Sequence, residues 1–163
     1  MVYGLTKGQA SPTSRKEFVT PIQVGGVINE PVNPLSLALT LGATFVARTF
    51  SDEKELTKEI MKQAINHKGY ALIDILHPCV SFNKINNHAW YKKNTYILDE
   101  NHDQSNLMEA VKIAMDTEKM ALGILYKGRI KTPFENQLSV YKDDATAISF
   151  RKRDMAYVNR LLD

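Results

Sequence analysis

Ser51–Leu76, SDEKELTKEIMKQAINHKGYALIDIL, sets the fold class. Leu56, Ile60, Ala64 and Ile65 recur at three- and four-residue spacing, which lines side chains along one face of an α-helix. Ser51 or Asp52 is the expected N-cap, with Glu55 placed to close a capping box on Asp52. Gly69 supplies the C-terminal stop. From Tyr70 the texture changes: Ala71, Leu72, Ile73, Ile75 and Leu76 surround one acidic residue, Asp74. A near-continuous apolar run of this kind is typical of strands inside parallel sheets.

The same helix-then-strand order occurs just upstream. Asn33-Pro34 offers an N-cap followed by proline at the first helical position. Leu35, Ala38, Leu39 and Leu41 continue as a short helix that Gly42 ends, and Ala43–Ala47 reads as a buried strand. Two such units in succession predict βαβ crossovers, and hence an α/β fold. Before them, Glu17–Val32 carries Pro21, Gly25, Gly26 and Pro31 and reads as an extended connection. Downstream, Phe82–Leu98 is rich in asparagine, lysine and aromatics and reads as an irregular excursion. Ser105 is the expected cap of a third helix carrying Leu107, Ala110, Val111 and Ala114. Ala121–Tyr126 reads as another strand, Thr132–Phe134 as extended, and Asp154 as the cap of a last helix through Leu162. A soft boundary is placed near Asn83–Asn87, dividing the chain into 1–85 and 86–163.

Composition narrows the functional classes. The 163 residues are 44% hydrophobic and 24% charged, as in ordinary globular domains. No apolar run approaches the ~18 residues that span a bilayer, so no membrane role is expected. The opening residues lack the basic start and apolar core of a signal peptide. The formal charge of +3 has no focused stripe, and its densest cluster, Arg151–Arg153, is bordered by Asp154. Nucleic acid is therefore not an expected partner. A single cysteine, Cys79, rules out an internal disulfide and fits a cytoplasmic setting.

Chemistry concentrates at two places. Tyr3–Ser14 packs two glycines, a proline, a lysine, a glutamine and four Ser/Thr hydroxyls into twelve residues. Glycines let backbone approach a ligand, while exposed N–H and hydroxyl groups donate to anionic oxygens. Val2 and Tyr3, just ahead, read as the tail of a strand, so this polar loop stands where open sheets present their sites. The second place is His77-Pro-Cys-Val-Ser-Phe-Asn83, directly after the Tyr70–Leu76 strand. His77 and Cys79 stand two positions apart across Pro78 and need not converge, so they do not read as a nucleophile pair. His67, His88 and His102 are scattered and read as surface or loop histidines, His67 at a helix C-terminus. One cysteine and four dispersed histidines lack the spacing of a zinc site.

Val2-Tyr-Gly-Leu-Thr-Lys-Gly-Gln-Ala-Ser-Pro-Thr13 resembles the loop after the magnesium-binding strand in beta subunits of 2-oxoacid:ferredoxin oxidoreductases. The resemblance continues through Gly42–Arg48, through Gly69 and the following strand to His77–Asn83, and on to Ala121–Tyr126. It implies the C-terminal part of a thiamine-diphosphate-binding domain: an open, mainly parallel sheet with flanking helices, plus a small C-terminal extension. Members of that family decarboxylate a 2-oxoacid to its acyl-coenzyme A and pass electrons to ferredoxin, and the cofactor cleft is completed by an alpha-type subunit. By resemblance Val2 is a magnesium ligand through its backbone carbonyl, as suits a hard cation. Gly4, Leu5 and Thr6 would wrap the diphosphate, with Lys7 serving the diphosphate, the substrate carboxylate or the coenzyme A side. Gln9, Ser11 and Thr13 are loop-shaping or supporting groups. Cys79 matches the last of four cysteines that hold a [4Fe–4S] cluster.

The departures are as informative as the matches. In complete members of the family a Gly-Asp-Gly metal-binding stretch and three further cluster cysteines precede this point, and none occurs here. No catalytic residue is therefore assigned, and the isolated chain is expected to be inactive. Met1 reads as an internal methionine or as the true start of a split subunit. The alternative expectation is a non-catalytic remnant or interaction module that needs a partner chain to complete its sheet.

Overall fold

Asn33 accepts hydrogen bonds at its side-chain oxygen from the Leu35 and Ser36 amides, both 3.1 Å, and so starts the first helix where proline follows the cap. The computed structural model describes residues 1–152 and 154–162. Those residues fall into two compact units, Met1–Lys131 and Thr132–Asp163.

In the first unit β1 (Val2–Tyr3) pairs antiparallel with β2 (Gln9–Ala10) in a small hairpin. Then come α1 (Pro34–Thr40), β3 (Phe45–Phe50), α2 (Lys54–Asn66) and β4 (Ala71–Leu76). They are followed by α3 (His88–Asn94), β5 (Thr95–Ile97), α4 (Leu107–Met115) and β6 (Met120–Lys127). The main sheet runs in the order β4-β3-β6-β5. β3 and β4 are parallel from Phe45↔Ala71 to Phe50↔Leu76, and β5 is parallel to β6, while β6 runs antiparallel to β3. Two of three pairings are therefore parallel, and the mixed α/β architecture follows the expectation.

Helices cover both faces of the sheet. On one, Leu35, Ala38 and Leu39 of α1 and Ala110 and Ala114 of α4 pack on Val46 and Leu125. On the other, Ile60 of α2 packs on Phe45, Ala47 and Ile124, with Leu56 and Ala64 beside it. Tyr91 of α3 closes the far end over Phe50, Leu76 and Leu122. Each fully buried Leu, Ile, Phe or Val contributes about 1.5–3 kcal/mol relative to its exposed state, which is what fixes α1, α2 and α4 to the sheet.

The local reading needs several corrections. α2 starts at Lys54 after Glu53, with no side-chain cap, because Asp52 faces His88 instead, 2.9 Å from Nδ1. Ile65 is exposed, since 56, 60 and 64 already define the buried stripe and 65 lies a further ~100° around the helix. Phe82–Leu98 is not wholly irregular: Asn87 caps α3 by accepting from Trp90 N at 2.9 Å, and β5 follows. Asn106, not Ser105, caps α4. β4 is an edge strand among the described residues, and most of its residues are half-buried rather than fully enclosed.

The second unit holds a short helix, α5 (Phe134–Gln137), which begins at the last residue of the stretch expected to be extended, then two 3-10 turns. Its last helix, α6 (Met155–Arg160), is capped as anticipated by Asp154, which accepts from Ala156 N at 3.0 Å and Tyr157 N at 3.2 Å. Of the Arg151–Arg153 cluster, Arg153 lies outside the described residues.

Candidate cofactor site

The β1–β2 hairpin turns through Gly4–Gly8. Lys7 N donates to Gly4 O and Gly8 N to Tyr3 O, both at 3.0 Å, so the backbone folds back within five residues. Lys7 adopts φ 59° and Gly8 φ 102°, left-handed values that a tight reversal needs. Gly8 is buried, and Thr20 Oγ1 donates to its carbonyl at 2.6 Å. From that anchor the rest of the turn projects outward: Gly4, Thr6 and Lys7 are exposed, and Leu5 is 99% exposed. Thr6 Oγ1 reaches only Tyr3 O, at 3.4 Å. Among the described residues, neither Leu5 N nor Thr6 N donates to an internal acceptor.

The hairpin's return strand leads into a knot of hydroxyl groups. Ser11 Oγ lies 2.9 Å from Thr13 Oγ1, Ser11 N donates to Ser14 Oγ at 2.9 Å, and buried Ser14 in turn donates to Met1 O. Val2 stands opposite Ala10 and Tyr3 opposite Gln9, whose side chain is exposed. Ser11 and Thr13 thus hold the path of the loop, while Lys7 and Gln9 face solvent.

Cys79 lies just beyond the C-terminal end of β4, half-buried after buried Pro78. A Cβ placed on Gly4 would stand 3.5 Å from Cys79 Sγ, so the opening turn lies beside the thiol with room for little more than a methyl group between them. The segment after it is fixed by amides: Asn83 N donates to Cys79 O at 3.0 Å, and buried Asn83 Oδ1 accepts from Ile85 N and Asn86 N. His77, by contrast, is exposed on the other side of Pro78.

Beside this contact, beneath the opening segment, lies a cavity of about 270 Å³. Arg48 and Asp74, register partners on β3 and β4, meet across it at 2.9 Å, with side chains only 8% and 11% exposed. Arg15 stacks over Trp90 at 4.9 Å from the ring centroid, on the same wall. Burial, reinforced by the Asp74 carboxylate, pushes the Tyr91 phenol above its ordinary range. Sequence reasoning missed this ion pair. Its one signal was a single charge in each of two apolar strands, and only the register shows that the two are neighbours.

The remaining histidines play structural parts. His67 Nε2 lies 2.8 Å from Thr44 Oγ1, and burial, then the Lys127 ammonium, hold its pKa below the usual value. His102 is a loop histidine, one of the two readings expected, but its side chain is only 5% exposed and its Nε2 lies 3.0 Å from Leu125 O.

The donor set limits what this chain can hold. Among the described residues, no group of three His, Cys, Asp or Glu side chains could bind a metal ion. Cys79 is the only cysteine, so a [4Fe–4S] cluster, which takes four thiolates, does not fit this chain by itself. A diphosphate fits better, because the exposed turn offers two amides without internal acceptors, a hydroxyl and an ammonium.

Residues 1–75 match the model of the thiamine pyrophosphate enzyme C-terminal TPP binding domain. Residues 79–143 match the model of the C-terminal region of the pyruvate ferredoxin oxidoreductase beta subunit. Over these two stretches the chain is similar to the beta subunits of 2-oxoacid:ferredoxin oxidoreductases. It is 39% identical over 149 residues to the 2-oxoacid:ferredoxin oxidoreductase subunit beta of a Sulfolobus species, covering 84% of this chain and 49% of that one. It is 40% identical over 151 residues to subunit beta of 2-oxoacid:ferredoxin oxidoreductase 1 of Aeropyrum pernix, covering 85% and 47%. Among solved structures it superimposes on 2-oxoglutarate:ferredoxin oxidoreductase from Magnetococcus marinus with 2-oxoglutarate, coenzyme A and succinyl-CoA bound. That match has a TM-score of 0.80 at 34% identity, over 99% of this chain and 55% of the other. The chain thus spans about half the length of the curated relatives it matches. Among the described residues no helix is long and apolar enough to cross a membrane.

Proposed function

We propose that this chain forms one side of a thiamine-diphosphate site in a 2-oxoacid:ferredoxin oxidoreductase. The complex would convert a 2-oxoacid to its acyl-coenzyme A in the cytoplasm, with an alpha-type subunit and ferredoxin as partners. The observation that carries the reading is the proximity of Gly4 and Cys79, seventy-five positions apart in sequence, with Cys79 Sγ 3.5 Å from where a Cβ on the glycine would stand. In this reading residues 1–85 face the cofactor and 86–163 form the C-terminal region typical of the beta subunits.

Thiamine diphosphate, when bound, supplies the electron sink for decarboxylation. The chain's own groups bind and orient. Leu5 N, Thr6 N and the Thr6 hydroxyl donate to diphosphate oxygens, and Gly4 keeps the turn close to Cys79. Val2 contributes a carbonyl oxygen toward Mg2+, whose remaining ligands come from outside the chain. The Lys7 ammonium projects from the turn as a mobile counter-charge for a phosphate or substrate carboxylate. Cys79 contributes one thiolate and no more. Alone, the chain has no turnover.

Equilibrium dialysis of thiamine diphosphate with Mg2+ tests the reading. The expected result is little retention by the chain alone and stoichiometric retention once it is assembled with an alpha-type chain and a polypeptide bearing Gly-Asp-Gly. Retention that is unchanged when Gly4→Trp and Thr6→Ala are introduced into the assembly would overturn it.

One observation also favours a role as an interaction module. β4 leaves one backbone edge unpaired among the described residues, next to an apolar hollow of about 400 Å³ where Leu37, Leu41 and Tyr70 are exposed. Exposed edges beside apolar surface are where another strand or chain adds. Recovery of a stable complex that binds no thiamine diphosphate would favour this second reading.

A further inference from the structure

The two edges of the main sheet are finished differently. β5 is three residues long, and shortness blunts an edge. β4 runs for six residues in unbroken register with β3, from Phe45↔Ala71 to Phe50↔Leu76, without proline, lysine or bulge. Those are the devices that keep a free edge from pairing. Its one charge, Asp74, is committed to Arg48 of β3.

Hydrogen bonds to β3 fix which backbone groups stay open. Tyr70 O accepts from Phe45 N at 3.1 Å and Leu76 O from Ser51 N at 3.0 Å, so the even positions turn their backbone toward β3. Strand backbone alternates sides from one residue to the next, which turns the N–H and C=O of Ala71, Ile73 and Ile75 to the open edge. Among the described residues none of these groups has a partner on that side.

Beside the edge runs a trough. The hollow of about 400 Å³ at Tyr70 and Leu72 and the cavity of about 270 Å³ at Asp74 and Leu76 share Val32 and Pro34 in their walls, so together they follow one side of β4 along its length. One end is apolar, with Leu37 of α1 and Leu41 just after it exposed beside Leu72. At the other end Asp74 Oδ2 accepts from Arg48 Nε, while Oδ1 has no donor among the described residues. An open backbone edge next to side-chain hollows two positions apart is what an added strand requires: its backbone supplies affinity and its alternate side chains supply selectivity.

We infer that the β4 edge takes a parallel strand of a separate polypeptide, matching the six residues of β4, with a large apolar side chain beside Leu72 and a hydroxyl or amide donor beside Asp74. Parallel entry continues the β3–β4 pairing and brings the C-terminal end of the added strand toward Cys79 and the opening turn. A second copy of this chain fits less well. A two-fold axis makes paired edges antiparallel, and one centred on Ile73 sets Asp74 of each copy beside Leu72 of the other, a carboxylate against an apolar hollow. The inference rests on the reading of β4 as a docking edge and not on thiamine diphosphate.

Amide hydrogen exchange of the full chain with a synthetic peptide, Lys-Lys-Val-Phe-Ile-Thr-Val-Val, provides the test. In the chain alone the Ala71, Ile73 and Ile75 amides should exchange fast, and those of Leu72, Asp74 and Leu76 slowly. The peptide should slow the first three saturably, by about tenfold, on the scale of one backbone hydrogen bond each. A spin label at its C-terminus should broaden Leu76 and His77, and one at its N-terminus Gly69 and Tyr70. Ile75→Pro removes an edge N–H without touching the β3 ladder, and Leu37→Glu charges the apolar end of the trough. Each should weaken binding by about tenfold, with cooperative unfolding retained as the check on folding. Replacing the peptide threonine by valine should weaken it in the same direction. No saturable protection at millimolar peptide, the reverse broadening pattern, indifference to both variants, or protection of these amides by dimerisation of the chain overturns the inference. A recovered complex that leaves the three amides fast would keep the wider docking reading and reject this occupant.

Discussion

Gly8 combines two requirements at one residue. Its φ of 102° is a left-handed value, and an added Cβ would stand 3.1 Å from Thr20 Cβ and 3.2 Å from Thr20 Oγ1. Gly8→Ala should therefore cost about 1–3 kcal/mol, read as a lowered urea midpoint with an unchanged slope. An equal midpoint would show that the turn tolerates a side chain. At His67 the folded pKa lies below its ordinary value, so the native state favours the neutral ring. The stability from that preference is complete above the unfolded pKa of ~6.5 and is lost as pH falls from there toward the folded value. His67→Gln should flatten the stability profile below pH ~6.5, a difference that urea titrations at several pH values would detect. Residue types were legible in the sequence, but their company was not. Gly4 and Cys79 each stood out, Gly4 for backbone freedom and Cys79 for its strand-end position, yet their contact depends on the whole path between them. Ile65 misled for the opposite reason, since three residues already filled the buried stripe of its helix.

Among the elements, β3 and β4 are locked in register by apolar side chains on both faces and by one buried ion pair, Arg48–Asp74. Removing one partner leaves a charge uncompensated beside a cavity, so Arg48→Ala should cost about 3–5 kcal/mol. The joint replacement Arg48→Met/Asp74→Leu should recover most of that loss, because two apolar residues of similar size leave no buried charge. Thermal and chemical denaturation of the two variants would check this, and a double variant as unstable as the single one would contradict it. Helices and strands with strong periodicity were legible in the sequence alone: α1, α2, β3, β4, α4 and β6 follow from breakers and apolar spacing, although the caps expected for α2 and α4 were misplaced. α3 and β5 were not. Within α3 a single residue, Tyr91, is buried, and β5 is three residues long, so neither leaves a periodic trace. The antiparallel entry of β6 was equally hidden, because a buried strand has the same composition in either direction.

Across the full chain, the match takes in about half of the relatives' length. The chain corresponds to 49% of the Sulfolobus subunit and 47% of the Aeropyrum one, and its β4 edge is unpaired among the described residues. The opening turn, the Cys79 segment and the cavity over Arg48–Asp74 all sit at one end of the sheet, where a second chain would meet them together. Ligand-binding loops of α/β sheets gather at that end, but Val2 and Tyr3, expected as the tail of a strand of that sheet, pair only with β2 in a separate hairpin. The ion pair below the candidate site gave no local signal, since it is assembled from elements far apart in sequence. If the turn and Cys79 are one half of a cofactor site that other chains complete, activity must depend on assembly. The decisive assay is 2-oxoacid-dependent reduction of ferredoxin, with pyruvate and 2-oxoglutarate as substrates. It would be run on the chain alone and on the chain assembled with an alpha-type subunit and a Gly-Asp-Gly polypeptide supplying three cysteines. Turnover in the full assembly only, abolished by Cys79→Ser without loss of assembly, is the predicted result. Turnover by the chain alone, or an intact assembly whose turnover is indifferent to Cys79→Ser, would contradict it.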